Sequence, residues 1–303
     1  MSLSLIVGTL NINGSYSDLK KCMLNTFIKQ QHLDIVFLQE VVSEEMCNLP
    51  NYNYICNIGS NGRGTAILYH NALVLQDTKM LPDGRGISAK YEDTLLINVY
   101  APSGSQNRQA RQQFFNSNVT FLFLNWTGKA ILGGDFNSVQ NQRDCTGTIQ
   151  KCSALDYMIS SMQFHDVWEL AKHPPIFTYF CHNAASRIDR IYVSNELKQL
   201  LPERPSIECL PAAFTDHSMI MCDIRLPNHP ATIHRGRSFW KLNMAYITSA
   251  SIVEDFRIEW QRILQNKVRF LNILEWWVRY AKPNLKRFFI QQAKSSRADM
   301  EKI

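Results

Sequence analysis

The stretch AILGGDFNSV, residues 130–139, runs from an apolar segment through two glycines to an acid and an amide. Ala130, Ile131 and Leu132 read as a buried strand, and Asp135 and Asn137 stand one residue apart where it empties into a loop. Residues i and i+2 of an extended chain point the same way, so both polar heads are expected to face one cavity. Gly133 and Gly134 are expected to let the backbone approach a ligand or turn tightly. A plain turn with Asp and Asn as turn formers fits the same letters, so the motif needs partners elsewhere in the chain.

Segments of the same kind recur up to about residue 226. LSLIVGTLNI (3–12), DIVFLQ (34–39), YNYICNI (52–58), GTAILYH (64–70), TLLINVY (94–100), RIDRIYVS (187–194) and MIMCDIR (219–225) are rich in Val, Ile and aromatics and bounded by turn formers. Residues 17–30, 105–125 and 151–163 carry helical spacing, with Ser17, Ser105 and Ser153 as candidate caps. Strands alternating with long helices predict an α/β fold with helices covering sheets.

After Pro227 the composition changes. PNHPATIHRGR reads as a polar linker over 228–238, and residues 239–303 as Trp-rich helices, the second interrupted at Pro283. Residues 228–303 carry 14 Lys+Arg against 6 Asp+Glu, which leaves 18 against 20 in the rest of the chain. The basic excess therefore belongs to the tail. A polyanion-contacting extension and a solvated helical face both fit it.

The remaining composition excludes several classes. In 303 residues, 45% are hydrophobic and 19% charged, enough apolar content for a sizeable core and too little charge for a disordered chain. No run approaches a membrane span, and the N-terminus lacks the basic region and cleavage site of a signal peptide, so no membrane is expected. None of the eight cysteines forms a C-x-x-C pair, which signals neither a zinc site nor a disulfide framework and suits a reducing compartment.

The partners of Asp135 and Asn137 lie at the ends of the other strands. Asn11 and Asn13 end the first, Gln39 and Glu40 end DIVFLQE, and Tyr100 ends TLLINVY. Ser186, Arg187 and Asp189 stand in SRIDR, and Asp216 and His217 in TDH. Singly, each has a dull reading: a solvated acid, a core-edge aromatic, a turn former, a structural histidine. Together they set acids, amides, a Tyr and a His where α/β folds build sites. Separated carboxylates with amide support suit a hard cation such as Mg²⁺, and a further Asp–Asn pair suits activation of water. A His held by an Asp suits donation to a phosphate oxygen as charge builds. Metal-assisted phosphodiester hydrolysis is the chemistry this set fits.

TLNING, FLQE, NVYAP, GGDFN, SRIDR and TDH, in that order over residues 4–225, resemble the endonuclease/exonuclease/phosphatase superfamily. Within it the chain is similar to the apurinic-like endonuclease domain of non-LTR (LINE-type) retrotransposon polyproteins. GRSFWKLNMAYI and the basic helices after it resemble the connector towards a reverse transcriptase, of which no motif is present. The resemblance implies a two-sheet α/β sandwich with flanking helices over 1–227, followed by a C-terminal helical extension. It implies a nuclear enzyme, made in the cytoplasm, that nicks double-stranded DNA with Mg²⁺ or Mn²⁺ and leaves a 3′-hydroxyl primer; the extension would contact element RNA.

By the same resemblance Glu40 is the principal metal ligand, with Asn11 and Asp216 in or near its shell. Asp135 activates water and Asn137 positions it. His217, oriented by Asp189, polarises the phosphate, and Tyr100 contacts it or supports the leaving oxygen. Thr178 and Ser186 contact DNA or shape the floor of the site. His182 and Asn183, at the tip of a hairpin, probe the groove. Arg187 and Arg143 are further DNA contacts, although NQRDCTG (141–147) leaves open which residue meets the phosphate. Thr215 stands where the family usually has Ser, keeping the hydroxyl. An apurinic repair endonuclease or another phosphoesterase of the superfamily, and a catalytically dead nucleic-acid-binding module, are the alternative readings.

Overall fold

The computed structural model describes residues 4–123, 126–147, 151–181, 184–225, 250–270 and 272–300. Its strands are β1 (Ser4–Asn11), β2 (Ile35–Val41), β3 (Tyr52–Ile58), β4 (Gly64–His70), β5 (Gln76–Met80), β6 (Gly86–Tyr91) and β7 (Thr94–Tyr100). Then follow β8 (Lys129–Asp135), β9 (His165–Asp166), β10 (Tyr179–Cys181), β11 (Ala184–Ser186), β12 (Asp189–Val193), β13 (Ile207–Pro211) and β14 (Ser218–Arg225). They build two six-stranded sheets, ordered β13-β14-β1-β2-β4-β3 and β5-β6-β7-β8-β12-β9, and the small ribbon β10-β11. The two-sheet sandwich expected from the sequence is the fold observed.

The strand DIVFLQ shows why these residues stack as layers. Ile35 and Phe37 face inward and pack with Ile87, Leu96, Ile131 and Ile191 of the opposite sheet. Val36 and Leu38 face outward and pack with Leu24 and Ile28 of α1 (Asp18–Gln31). A strand buried on both faces must read as an unbroken apolar run. On the other outer face Leu132 and Ile97 pack with Phe115, Val119, Leu155 and Met158. Asn98 ties the sheets together through buried hydrogen bonds: its Nδ2 donates to the carbonyls of Leu38 (2.9 Å) and Ala66 (2.8 Å), and its Oδ1 accepts from Gln39 Nε2 (2.8 Å).

Topology brings the site residues to one rim. Each sheet has one parallel pair, β1 beside β2 and β7 beside β8, so the carboxyl ends of four strands point the same way. Strands β12 and β14 run antiparallel to β8 and β1, so their amino ends arrive at that rim, with Asp189 directly opposite Asp135.

Several local expectations are corrected. β5, β6, β9 and β13 were not legible as strands, since QDTKM and HD carry no apolar alternation. Ser17 caps α1 as expected, accepting from Lys20 N at 3.1 Å. Ser105 does not cap: it opens a 3₁₀ turn, Ser105–Asn107, and the segment after it passes from α-helix through a π-helical stretch, Phe114–Val119, to α-helix again. Ser153 lies inside its helix, Ser153–Ser161, whose Ala154 N–H is capped by Gln112 Oε1 at 2.7 Å. The glycines of GGDF serve packing: a Cβ on Gly133 would stand 2.6 Å from the Phe37 ring, and one on Gly134 2.0 Å from Val99 O.

The chain divides into two compact units, Met1–His234 and Arg235–Ile303; the expected linker, 228–238, lies outside the described residues. In the second unit, helices Ala250–Gln265, Ile273–Trp276 and Lys282–Met300 enclose a small core of Ile263, Trp276 and Ala281. The last two are joined by a π-helical turn, Trp277–Ala281, just ahead of Pro283, whose missing N–H disturbs the ladder there. Arg257 and Arg262 pair with Glu254 and Glu259 of their own helix. Among the described residues no helix is long and apolar enough to cross a membrane.

Candidate active site

A cavity of about 630 Å³ opens at the rim, lined among others by Asn13, Glu40, Asp135, Asn137, Asp216 and His217. Its backbone is unusual. Asn13, Glu40 and Asn137 have φ of 48°, 58° and 45°, in the left-handed region that side chains rarely adopt. At Glu40 the strand carries a register shift between Gln39 and Val41. Such a bulge re-aims a side chain that simple alternation would send elsewhere.

Asn11 links the two ends of the site. Its Oδ1 accepts from Asn13 N (2.9 Å), which fixes the amide so that Nδ2 points inward to Asp135 Oδ2 (2.9 Å) and Glu40 Oε1 (3.2 Å). An amide presenting its NH₂ cannot ligate a cation. Asn11 is therefore a donor that spaces two carboxylates, standing next to Glu40 and turning its amide NH₂, not its oxygen, towards it. The buried hydroxyl of Tyr100 donates to Glu40 Oε1 (3.0 Å), so it orients Glu40 from beneath.

Asp135 is buried, its Oδ1 accepting from Asn137 N at 2.9 Å. Burial, reinforced by the charge of Asp189, pushes its carboxyl up to about 7, with His217, Asn11 and the Asn137 N–H opposing. Asn137 anchors its Nδ2 on Ala101 O (2.9 Å), beside the cavity it lines. His217 Nδ1 meets Asp189 Oδ2 at 2.8 Å. Burial alone would lower this imidazole, but the Asp189 carboxylate and its hydrogen bond prevail and raise it to about 9. The Tyr179 ring lies against it, centroids 4.8 Å apart. Thr215 Oγ1 donates to Asn11 O (2.9 Å) and accepts from His217 N (3.3 Å), joining β1 to the start of β14.

The DNA-contact assignments divide. Ser186 lines the cavity. Thr178 is fully buried, its Oγ1 accepting from the N–H groups of Ile188 (3.2 Å) and Asp189 (3.1 Å), so it forms the floor and carries Asp189. Arg187 is corrected outright: at 2% exposure it bonds Asp144 Oδ1 (3.0 Å), Asp166 Oδ2 (2.7 Å) and Glu169 Oε1 (2.7 Å). Arg190 completes this buried network on Asp144 and Asp166. Burial alone would raise the Asp144 carboxyl, yet Arg190 and Arg187 hold it below the usual range. Arg143 is exposed and paired with Glu169. His182 and Asn183 lie outside the described residues.

Three residues were missed from sequence. Arg63, the only cation of the turn GSNGRG, sets its guanidinium on Glu40 Oε2. Lys20, buried beneath the first loop, donates to Asn13 O and Ser15 Oγ, both at 3.0 Å. Tyr179 supports His217. No periodicity marks any of them.

Among the described residues, one carboxylate–imidazole cluster and two carboxylates on the cavity are candidate seats for a divalent cation. Ligand atoms of Asp135, Asp189 and His217 lie within 4.8 Å of one another. That trio is buried and holds the Asp189–His217 hydrogen bond. Glu40 and Asp216 open on the cavity, where a hard cation can keep waters. At Glu40 a cationic guanidinium already stands where such an ion would bind.

Comparison with known proteins agrees with this geometry. The chain is 26% identical over 305 residues to the Transposon TX1 uncharacterized 149 kDa protein of Xenopus laevis; that match covers 91% of this chain and 22% of that protein. This chain thus spans about a fifth of its relative's length. Among solved structures it superposes on an AP endonuclease from Archaeoglobus fulgidus with a TM-score of 0.62 at 20% identity, over 73% of this chain and 100% of that one. It matches a variant of the 3′ phosphatase NExo from Neisseria, bound to product DNA hairpin, with a TM-score of 0.62 at 19% identity and the same coverage. The model of the endonuclease/exonuclease/phosphatase family matches residues 8–217, which contain every cavity residue named above, and the chain belongs to that family.

Proposed function

We propose that this chain nicks double-stranded DNA in a divalent-metal-dependent reaction and leaves a 3′-hydroxyl that primes reverse transcription. The observation that carries the chemistry is one cavity holding a carboxyl raised to about 7, Asp135, beside an imidazole raised to about 9, His217. Between those values one group is free to accept a proton while the other carries one. Similarity to a transposon protein supports the priming role, and the neighbouring AP endonuclease and DNA-bound phosphatase support a DNA substrate.

Glu40 and Asp216 would hold Mg²⁺ or Mn²⁺, which supplies Lewis-acid stabilisation of the charge on the phosphate. Asp135 takes a proton from the water that attacks phosphorus, and Asn137 positions that water. The bond from phosphorus to the 3′ oxygen breaks; that oxygen takes a proton from solvent water to become the 3′-hydroxyl, and the phosphate stays on the 5′ side. His217, its Nδ1 held by Asp189, presents Nε2–H to a non-bridging oxygen as charge develops. Asn11 and Tyr100 keep the carboxylates spaced and aimed. The DNA target makes the nucleus the place of action, and the basic second unit would contact element RNA.

Conversion of supercoiled plasmid to the nicked form with Mg²⁺, but not with EDTA, tests the activity. Extension of those nicks by a polymerase without end processing tests the 3′-hydroxyl. Absence of nicking would leave a binding module. Cleavage confined to duplexes with an abasic site would make it a repair enzyme.

A further inference from the structure

Glu40 is held by partners of unequal permanence. Tyr100 and Asn11, both buried and each on a strand of a different sheet, occupy Oε1. Arg63 occupies Oε2 from the turn between β3 and β4, and its side chain is 47% exposed against 14% for Glu40. The backbone of that turn is fixed. Arg63 N donates to Asn61 Oδ1 (3.0 Å), and Gly59 N donates to Arg63 O (2.9 Å). A Cβ on Gly64 would stand 2.0 Å from Asn57 O, so the turn has no room to rearrange there. The solvent-facing part is the side chain. It crosses above Gly14, where a Cβ would lie 3.2 Å from both Arg63 Cζ and Glu40 Oε2. Arg63 also lines the cavity with Asp216 and His217.

We propose that Arg63 is an exchangeable counter-cation of the site, neutralising Glu40 until a divalent cation binds and then turning to a substrate phosphate. This rests on the reading of Glu40 as a metal ligand. A guanidinium and a hard cation repel each other and compete for the same oxygen, so Arg63 must leave Oε2 for the cation to take it. Once released, a planar fork of donors on the cavity rim matches the next anion to arrive, a phosphodiester of the substrate. Arg63 thereby weakens cation binding to the free protein and strengthens the grip on DNA once the cation is in place.

The test is a Mn²⁺ titration of the full chain without DNA, followed by electron paramagnetic resonance. Arg63→Gln is expected to bind Mn²⁺ about twofold to fivefold more tightly than the wild type, the upper part of the range of a partly exposed ion pair. Arg63→Lys, which keeps the charge, should stay near the wild-type value. Circular dichroism verifies the fold of each. In a second measurement, on an Asp135→Ala background, fluorescence anisotropy follows duplex binding against salt. With Mn²⁺, Arg63→Gln should reduce the slope of log K against log salt by about one phosphate contact; with EDTA it should change little. Equal or weaker Mn²⁺ binding by Arg63→Gln overturns the proposal, as does a slope that falls equally with and without the metal. If wild type and variants all fail to bind Mn²⁺, the reading of Glu40 falls with it; if all bind equally, only Arg63's role is lost.

Discussion

Replacing Asp189 by Asn removes a charge and keeps an acceptor for His217 Nδ1–H, so it isolates the electrostatic part of the pair. The imidazole stands at about 9 against an ordinary 6.5. A difference of about 2.5 units is about 3 kcal/mol of preference for the charged ring. Without the Asp189 charge, burial is left as the dominant influence and lowers the imidazole. Asp135 also loses the second cause of its elevation and falls from about 7. Both limbs of the pH–rate profile should therefore move to the acid side, as limbs belonging to the coupled group. An imidazole at about 9 is about 97% charged at pH 7.5, whereas one returned to the ordinary 6.5 is about 10% charged, so each step of the fall towards that value lowers the imidazolium fraction, by about tenfold in all and before any misorientation. Single-turnover nicking from pH 5.5 to 10 reads both limbs. Because the folded value lies above 6.5, the pair's contribution to stability is full below that pH and lost as pH rises through about 9, so wild-type thermal stability should decline over that window and the variant's should not. His217→Ala combined with Asp189→Asn should be no worse than the poorer single variant, since groups acting as a unit are non-additive. An alkaline limb that stays near 9 in Asp189→Asn would refute the reasoning.

Other expectations follow from the same geometry. Glu40→Gln should abolish metal-dependent nicking while circular dichroism and melting stay near wild type, because Asn11 and Tyr100 retain an oxygen to donate to; persistent nicking would remove Glu40 from the ligand set. Arg187→Ala leaves Arg190 alone to neutralise the buried pair Asp144 and Asp166 and should cost about 3 kcal/mol in chemical denaturation, rather than redistribute nick positions on DNA. Truncation near Pro227 should preserve metal-dependent nicking and weaken duplex binding at low salt; equal affinity of the two forms would make the second unit a packing or partner element. Its contribution should be smaller than its charge implies, since Arg257 and Arg262 are paired with Glu254 and Glu259.

The apolar strands that lead to the site and the letters at their ends were legible in the sequence alone. Apolar runs such as DIVFLQ must be buried, and polar residues at the ends of such runs have nowhere to face but a rim. That logic assembled Asp135, Asn137, Glu40, Asp216, Asp189 and His217 without coordinates, and the cavity gathers them, with Asp189 behind His217. Roles that depend on direction or on a distant partner were decided only by the tertiary structure. Asn11 differs from a ligand by the orientation of one amide, which the N–H of Asn13 fixes. Arg187 stands close to Asp189 within SRIDR, yet it belongs to a network closed by Asp144 and Asp166, 43 and 21 residues away. Arg63 reaches Glu40 across 23 residues from a glycine-rich turn that carries no periodic signal. Short-range pattern fixes which face of a strand a side chain takes, whereas the partner it meets depends on which loops the packed sheets bring over it.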